Sequence, residues 1–342
     1  MRVDGVMSNG KFEGLMHISN SKSQFLMVAT DQRDTLKRMV NPQSPDSVTA
    51  EEVKMVKKSL IRNLVGKKSP GRASGILVDP IYSYEQSFLK ACDIRADVGL
   101  LMAVEESGYG GKGEFAPQVR AFNGLDVEEA VRTIKARGAS AVKMLVYHRP
   151  DSPTRKHQEV MVKAVGRACE KHDIAFLMES LAHSLEGGPH MKKDPKEFSR
   201  LKPWIVIETV KELTKPEYAV DIFKAEFPLN LRYAEELGQD PSDACRQLDD
   251  ASQVPWVILS AAVDFEEFYE YLKHAAGNGA SGFLCGRAIW KEAIGRDDMD
   301  RFLLTIGVKR LNQLAEITEE NATAWYRKYV DSIGDIEITR GA

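Results

Sequence analysis

Cysteine is scarce in this chain. Cys92, Cys169, Cys245 and Cys285 are widely separated and form no CxxC pair, so neither a zinc site nor a disulfide framework is indicated. An excess of one charge is also missing. The 47 lysines and arginines stand against 50 aspartates and glutamates, a formal net charge of −3. That balance gives no electrostatic reason to expect nucleic acid or an acidic membrane as partner. No apolar run reaches the length needed to span a bilayer. The opening "MRVDGVMSNGKFEG" lacks the apolar core of a secretion signal. No low-complexity linker divides the 342 residues, so they are expected to fold as one unit. Together these absences describe a reduced, cytoplasmic protein.

What is present is a regular alternation. Short apolar runs recur at "FLMVATDQR" (25–33), "GILVDPIY" (75–82), "VGLLMAVEES" (98–107), "AVKMLVYH" (141–148), "AFLMESLA" (175–182), "IFKAEFPL" (222–229), "WVILSAAV" (256–263) and "GFLCGRAIW" (282–290). Helical patterns lie between them. Near-continuous apolar strands separated by helices argue for a parallel sheet covered on its faces. Eight such units predict a (β/α)8 barrel, with a doubly wound sheet as the lesser option. Thr49 with Glu52, Asp126 with Glu129 and Asp264 with Glu267 have capping-box spacing; Gly138 and Gly277 are expected C-caps. Strands are expected over about 25–290, followed by a helical C-terminal extension over about 291–342 that packs outside.

In a barrel, function sits at the C-terminal ends of the strands. The polar residues there are Asp31, Gln32, Arg33, Asp79, Lys143, Glu179, Lys224, Glu226, Ser260 and Arg287. Lys143, Glu179 and Lys224 fall on the fourth, fifth and sixth strands, so two amines and a carboxylate are expected to converge inside. A lysine attacks a carbonyl only as the free amine, so its reference pKa near ~10.4 must fall. Burial by Ile222, Phe223 and Phe227 and a second cation nearby would both lower it, and Glu179 would move protons. The competing reading is an interior ion-pair cluster that only fills the barrel. The spacing alone leaves the two readings open.

"ATDQRDTLKRM", "GILVDPIYSYEQ", "SAVKMLVYHRPD", "FLMESL", "DIFKAEFPLN", "VPWVILSAAVD" and "SGFLCGRAIW" occur in an order that resembles tagatose 1,6-bisphosphate aldolases and the related sulfofructose-phosphate aldolases. The resemblance runs from about residue 12 to about 325. It implies a class I aldolase, needing no metal or cofactor, that cleaves a phosphorylated ketose. It assigns the Schiff-base lysine to Lys224, acid–base partners to Glu179 and Lys143, and substrate contacts to Asp31 and Gln32. Ser260, Gly286 and Arg287 would hold the substrate's anionic group. The likeness departs at Ala262, where such enzymes usually carry glycine. A sulfosugar substrate and a sugar-phosphate-sensing regulator on an aldolase scaffold are the alternatives; a homo-oligomer is compatible with each.

Other features are set aside. "GYGGKG" (108–113) has GxGxxG spacing, but no helix opens on it, and Lys112 is followed by Gly113 rather than Ser or Thr. His183, Glu186 and His190 share a glycine-rich loop that does not promise a fixed metal geometry. His148 beside Tyr147 is a better active-site candidate, while His17, His157, His172 and His274 read as ordinary helix or loop residues. Trp256 and Trp290 read as packing residues on strands. Arg149, Asp151 and Arg155 fit either a phosphate contact or a solvated loop.

Overall fold

The computed structural model describes residues 5–83, 85–106, 121–183 and 195–340. Eight parallel strands close into a barrel: β2 (Phe25–Ala29), β3 (Gly75–Val78), β4 (Gly99–Ala103), β5 (Ala141–Tyr147), β6 (Ala175–Leu181), β7 (Ile222–Ala225), β8 (Trp256–Leu259) and β9 (Gly282–Cys285). Each pairs with the next, and β9 returns to β2 with Phe25 opposite Gly282. This is the (β/α)8 barrel expected above. A separate pair joins β1 (Val6–Ser8) to β10 (Glu337–Thr339).

The strand sequences are apolar throughout because both of their faces are covered. Phe25, Met27, Leu77, Leu101, Ala141, Ala175, Leu177, Ile222, Val257 and Leu284 form one buried cluster inside the barrel. Their neighbours Leu26, Val28, Ile76, Val142, Phe176, Phe223 and Ile258 pack outward against the helices. This alternation decides where Lys224 can point. Of the three apolar residues expected around it, Ile222 faces inward, but Phe223 and Phe227 belong to the outer core. Phe227 stacks on Tyr271 with ring centroids 4.2 Å apart.

The N-terminal end of the barrel is closed by the helix Asn9–His17. It packs so closely that a Cβ on Gly14 would lie 2.3 Å from Ser140 O. Lys11 of this helix is buried and paired with Asp221 at 2.9 Å. Thr49 and Glu52 form the full reciprocal capping box on the helix Ala50–Val65. Asp126 caps the helix Val127–Ala136 through the Glu129 N–H, and Gly138 beyond it is left-handed.

Several expectations need correcting. Asp264 precedes the helix Phe265–Ala276 without a side-chain cap; Gly277 is its C-cap residue, as expected, but with an ordinary φ of −71°. Trp290 lies in the short helix Arg287–Trp290, not on a strand, and its indole N–H donates to Ala29 O at 3.0 Å. The C-terminal extension is α-helical only to Asn321; beyond it come the short 3-10 helices Trp325–Lys328 and Ile333–Asp335, and Trp325 packs beside Phe12 near the closed end. Asp79 is structural: fully buried, it pairs with Lys57 at 2.8 Å and accepts the Ile81 and Tyr82 N–H groups. Lys57 also donates to Thr30 O at 2.5 Å, which fixes the chain just before Asp31.

Candidate active site

The strand register places the ionic cluster. Glu179 on β6 is opposite Lys224 on β7, and Lys143 on β5 is opposite Leu177. Ala141, Leu177 and Ile222 face the interior, so by alternation Lys143, Glu179 and Lys224 face it one step nearer the open end. One carboxylate oxygen of Glu179 lies 3.1 Å from Lys143 Nζ and 2.9 Å from Lys224 Nζ. The two amines are therefore bridged by one oxygen atom.

The lysines differ in what else they touch. Lys143 also reaches Asp31 at 2.9 Å and Glu105 at 2.8 Å, so three carboxylates surround its ammonium. Among the described residues, Lys224 forms an ion pair with Glu179 alone. Burial would push Lys143 down, but Asp31, Glu105 and Glu179 together raise it well above the ordinary lysine value. Burial likewise works against the charged forms of Asp31 and Glu179. The two lysines outweigh it and hold both carboxyls below their usual range. Lys143 is thus a fixed ammonium.

Glu105 was not singled out from the sequence. It follows β4 in "MAVEES", two residues beyond inward-facing Ala103 on the same strand path. Its position at a strand end was the available signal, but its neighbour Glu106 looked equally polar. Arg33 donates to the Glu105 backbone carbonyl at 2.9 Å, tying the ends of two strands together. Glu226 is half-buried and accepts the Ala182 N–H at 2.6 Å. Burial raises its carboxyl, against the opposing charge of Lys202 and that hydrogen bond.

Across the mouth lie the residues assigned to an anion. Ser260 adjoins buried Cys285, whose thiol is pushed up to about 12 by burial against a hydrogen bond from Ser260 and the charge of Lys224. Gly286 approaches β2 so tightly that a Cβ there would lie 2.8 Å from Ala29 O and 3.2 Å from Gln32 Nε2. The Gln32 amide oxygen is buried with no partner among the described residues. Burial lowers the Arg287 guanidinium, opposed by the charges of Asp31, Glu179 and Tyr147. Ser260 also begins a tight turn, closed by the Val263 N–H on Ser260 O at 2.9 Å. Its central residues Ala261 and Ala262 have φ of +43° and +67°. That is the type I′ pattern, which favours glycine and asparagine. Two alanines in left-handed conformations cost about 1–2 kcal/mol each.

The other candidates lie elsewhere. His148 is buried, with Nδ1 2.9 Å from Thr209 Oγ1 and Nε2 3.5 Å from Glu159. Arg149 pairs with Asp151, and Arg155 donates to Pro150 O at 2.7 Å, so this loop is internally satisfied. The glycine run 108–113, Glu186 and His190 fall outside the described residues. Among the described residues no group of three or more His, Cys, Asp or Glu side chains is arranged to hold a metal.

The cluster's pH dependence follows from these shifts. Asp31 and Glu179 are lowered, so their contribution is present above the unfolded values near ~4 and is lost as pH falls through the folded ones. Lys143 is raised, so its contribution is present below ~10.4 and is lost only as pH rises through its higher folded value. Lys143→Met leaves three carboxylates facing one another and is expected to lose ~3–5 kcal/mol near neutrality. Its stability maximum should shift toward acid, where protonation relieves the repulsion. Denaturant midpoints across pH check this; a variant with wild-type stability at every pH would contradict the charge arrangement.

A model of the DeoC/LacD family aldolases matches residues 25–292. The tagatose 1,6-diphosphate aldolase of Staphylococcus aureus (strain JH9) is 31% identical over 342 residues, covering 94% of this chain and 99% of that protein. An archaeal fructose 1,6-bisphosphate aldolase superposes with a TM-score of 0.57 at 19% identity, over 91% of this chain and 100% of the other. The fructose-bisphosphate aldolase of Plasmodium falciparum does so with a TM-score of 0.58 at 15% identity, over 97% and 99%. The two structural likenesses speak to the barrel. The family match and the Staphylococcus relative go further, and on them the chain belongs to the DeoC/LacD family of aldolases.

Proposed function

We propose that the protein is a class I ketose-bisphosphate aldolase that cleaves tagatose 1,6-bisphosphate to dihydroxyacetone phosphate and glyceraldehyde 3-phosphate through an imine on Lys224. The observation that carries this reading is the unequal surroundings of the two lysines. Lys143 is held as an ammonium by three carboxylates, whereas Lys224 shares one with it. An ammonium has no lone pair with which to attack a carbonyl. The substrate assignment is supported by the name of the Staphylococcus aureus relative.

In this mechanism Lys224 gives a proton to Glu179 and its Nζ attacks the ketose C2 carbonyl. The carbinolamine loses water, its hydroxyl leaving with a proton returned by Glu179, and a protonated imine forms. Glu179 then takes the C4 hydroxyl proton. The C3–C4 bond breaks, its electrons flow through C2 into the iminium nitrogen, and glyceraldehyde 3-phosphate departs. Glu179 returns the proton it took, protonating the enamine left behind at C3 and regenerating the imine. Water then hydrolyses the imine and releases dihydroxyacetone phosphate with Lys224 free. The fixed charge of Lys143 steadies the oxygen developing on the carbinolamine, a preorganised electrostatic role. Asp31 and Gln32 bind substrate hydroxyls. Ser260, the Gly286 backbone and Arg287 take a phosphate, the guanidinium binding two oxygens at once.

Borohydride reduction in the presence of dihydroxyacetone phosphate, followed by peptide mapping, tests the nucleophile. Modification is expected at Lys224, in the peptide containing "AEFPLN"; modification at Lys143 alone would exchange the roles of the two lysines. Turnover of the 1,6-bisphosphate against its 6-sulfonate analogue tests the substrate class. The bisphosphate should be preferred, because the site meets the anion with a guanidinium and a phosphate carries nearly twice the charge of a sulfonate. A clear preference for the sulfonate would place the protein with the sulfosugar enzymes.

A further inference from the structure

We propose that Lys291 is a positioning residue for the anion-binding turn that follows β8. This rests on the reading of Ser260, Gly286 and Arg287 as the substrate's phosphate site. Lys291 lies beyond β9, on the neighbouring strand's loop, and reaches back across the rim. Its Nζ is 3.3 Å from Ala262 O, 3.4 Å from Val263 O and 2.5 Å from Asp264 Oδ1. All three acceptors belong to the alanine turn or to the residues directly after it.

Two further observations connect this contact to the turn's geometry. Ala261 and Ala262 both adopt positive φ, where alanine is strained and glycine is not. Nothing in their own side chains holds them there. Asp264, at the N-cap of the helix Phe265–Ala276, makes no cap with its side chain. Its carboxylate is drawn to Lys291 and lowered by that hydrogen bond and charge. A helix cap has therefore been given up for a bond to the clamp.

The turn supplies what an anion needs. Neither the Ala261 nor the Ala262 N–H has an acceptor among the described residues. Successive free N–H groups on a turn form an anion-binding concavity. A relaxation of either alanine to negative φ would rotate a peptide plane and turn its N–H group aside. Lys291, bonded to the carbonyls of Ala262 and Val263, holds the 262–263 and 263–264 peptide planes and so anchors the C-terminal side of the turn against that change. The clamp thus compensates for the missing glycine at position 262.

The test compares Lys291→Met, Ala262→Gly and the double variant, with Arg287→Ala in parallel and melting curves to report folding. KM and kcat are measured with tagatose 1,6-bisphosphate. Lys291→Met should raise KM about tenfold, with a smaller change in kcat. Adding Ala262→Gly should bring KM back to within about threefold of wild type, because glycine holds the turn unaided. Asp264→Asn, which weakens the clamp without removing the lysine, should give a smaller KM increase rescued in the same way; it serves if Lys291→Met fails to fold. A wild-type KM in the clamp variants, or an increase that Ala262→Gly does not reverse, overturns the role of Lys291. If Arg287→Ala also leaves KM unchanged, the phosphate-site reading itself fails and takes the clamp with it. If Arg287→Ala raises KM and Lys291→Met does not, the clamp alone is wrong.

Discussion

One oxygen atom of Glu179 lies within ion-pair distance of two lysines inside a closed barrel. The rest of the site is organised around that constraint. Two buried lysine side chains are tolerable only where carboxylates lie close enough to compensate their charge. Asp31 and Glu105 join Glu179 around Lys143 and leave Lys224 with a single shared partner. Strand position explains part of the asymmetry: Glu105 ends β4, next to the strand of Lys143, whereas the strands after β7 end in Ser260 and Gly286; β2, which leads to Asp31, is three strands from each lysine.

The scaffold makes this arrangement affordable. Beneath the ionic layer the interior is filled by Phe25, Met27, Leu77, Leu101, Leu177, Ile222, Val257 and Leu284, and the helix Asn9–His17 seals the floor. Each such side chain contributes about 1.5–3 kcal/mol on burial. That apolar floor offsets the desolvation of the charges above it and the strain of the alanine turn at the rim. Buried Lys57, bound to Thr30 O and Asp79, extends the same rigidity outward and fixes the segment that carries Asp31.

The barrel and most of the ionic cluster were legible in the sequence because alternation on parallel strands is a strict rule. Once Lys143, Glu179 and Lys224 are assigned to the ends of consecutive strands, alternation allows all three to face inward. The environment of each lysine was not legible. Phe223 and Phe227 were expected beside Lys224, yet the same alternation turns Phe223 outward and Phe227 stacks on Tyr271. Glu105 was passed over because nothing local separates it from Glu106; only the closed barrel brings it to Lys143. Asp79 looked like a site residue by position, but its partner Lys57 comes from a helix, a pairing that strand patterns do not reveal. Asp264 followed a capping pattern that the distant Lys291 overrides. The departure at Ala262 was visible as a missing glycine. That it falls at a positive φ is a fact of the fold.

The central claim is that Glu179 transfers protons and does not serve only as a counter-ion. Steady-state turnover of Glu179→Gln, measured beside its melting curve, tests this most directly. Glutamine keeps the size and some hydrogen bonding of the side chain, and Lys143 retains Asp31 and Glu105. The variant should therefore fold, while turnover falls by ~10²- to 10⁴-fold, the usual cost of losing a positioned general acid–base. Near-normal turnover with a lowered melting temperature would contradict the account and reduce the cluster to an interior ion pair.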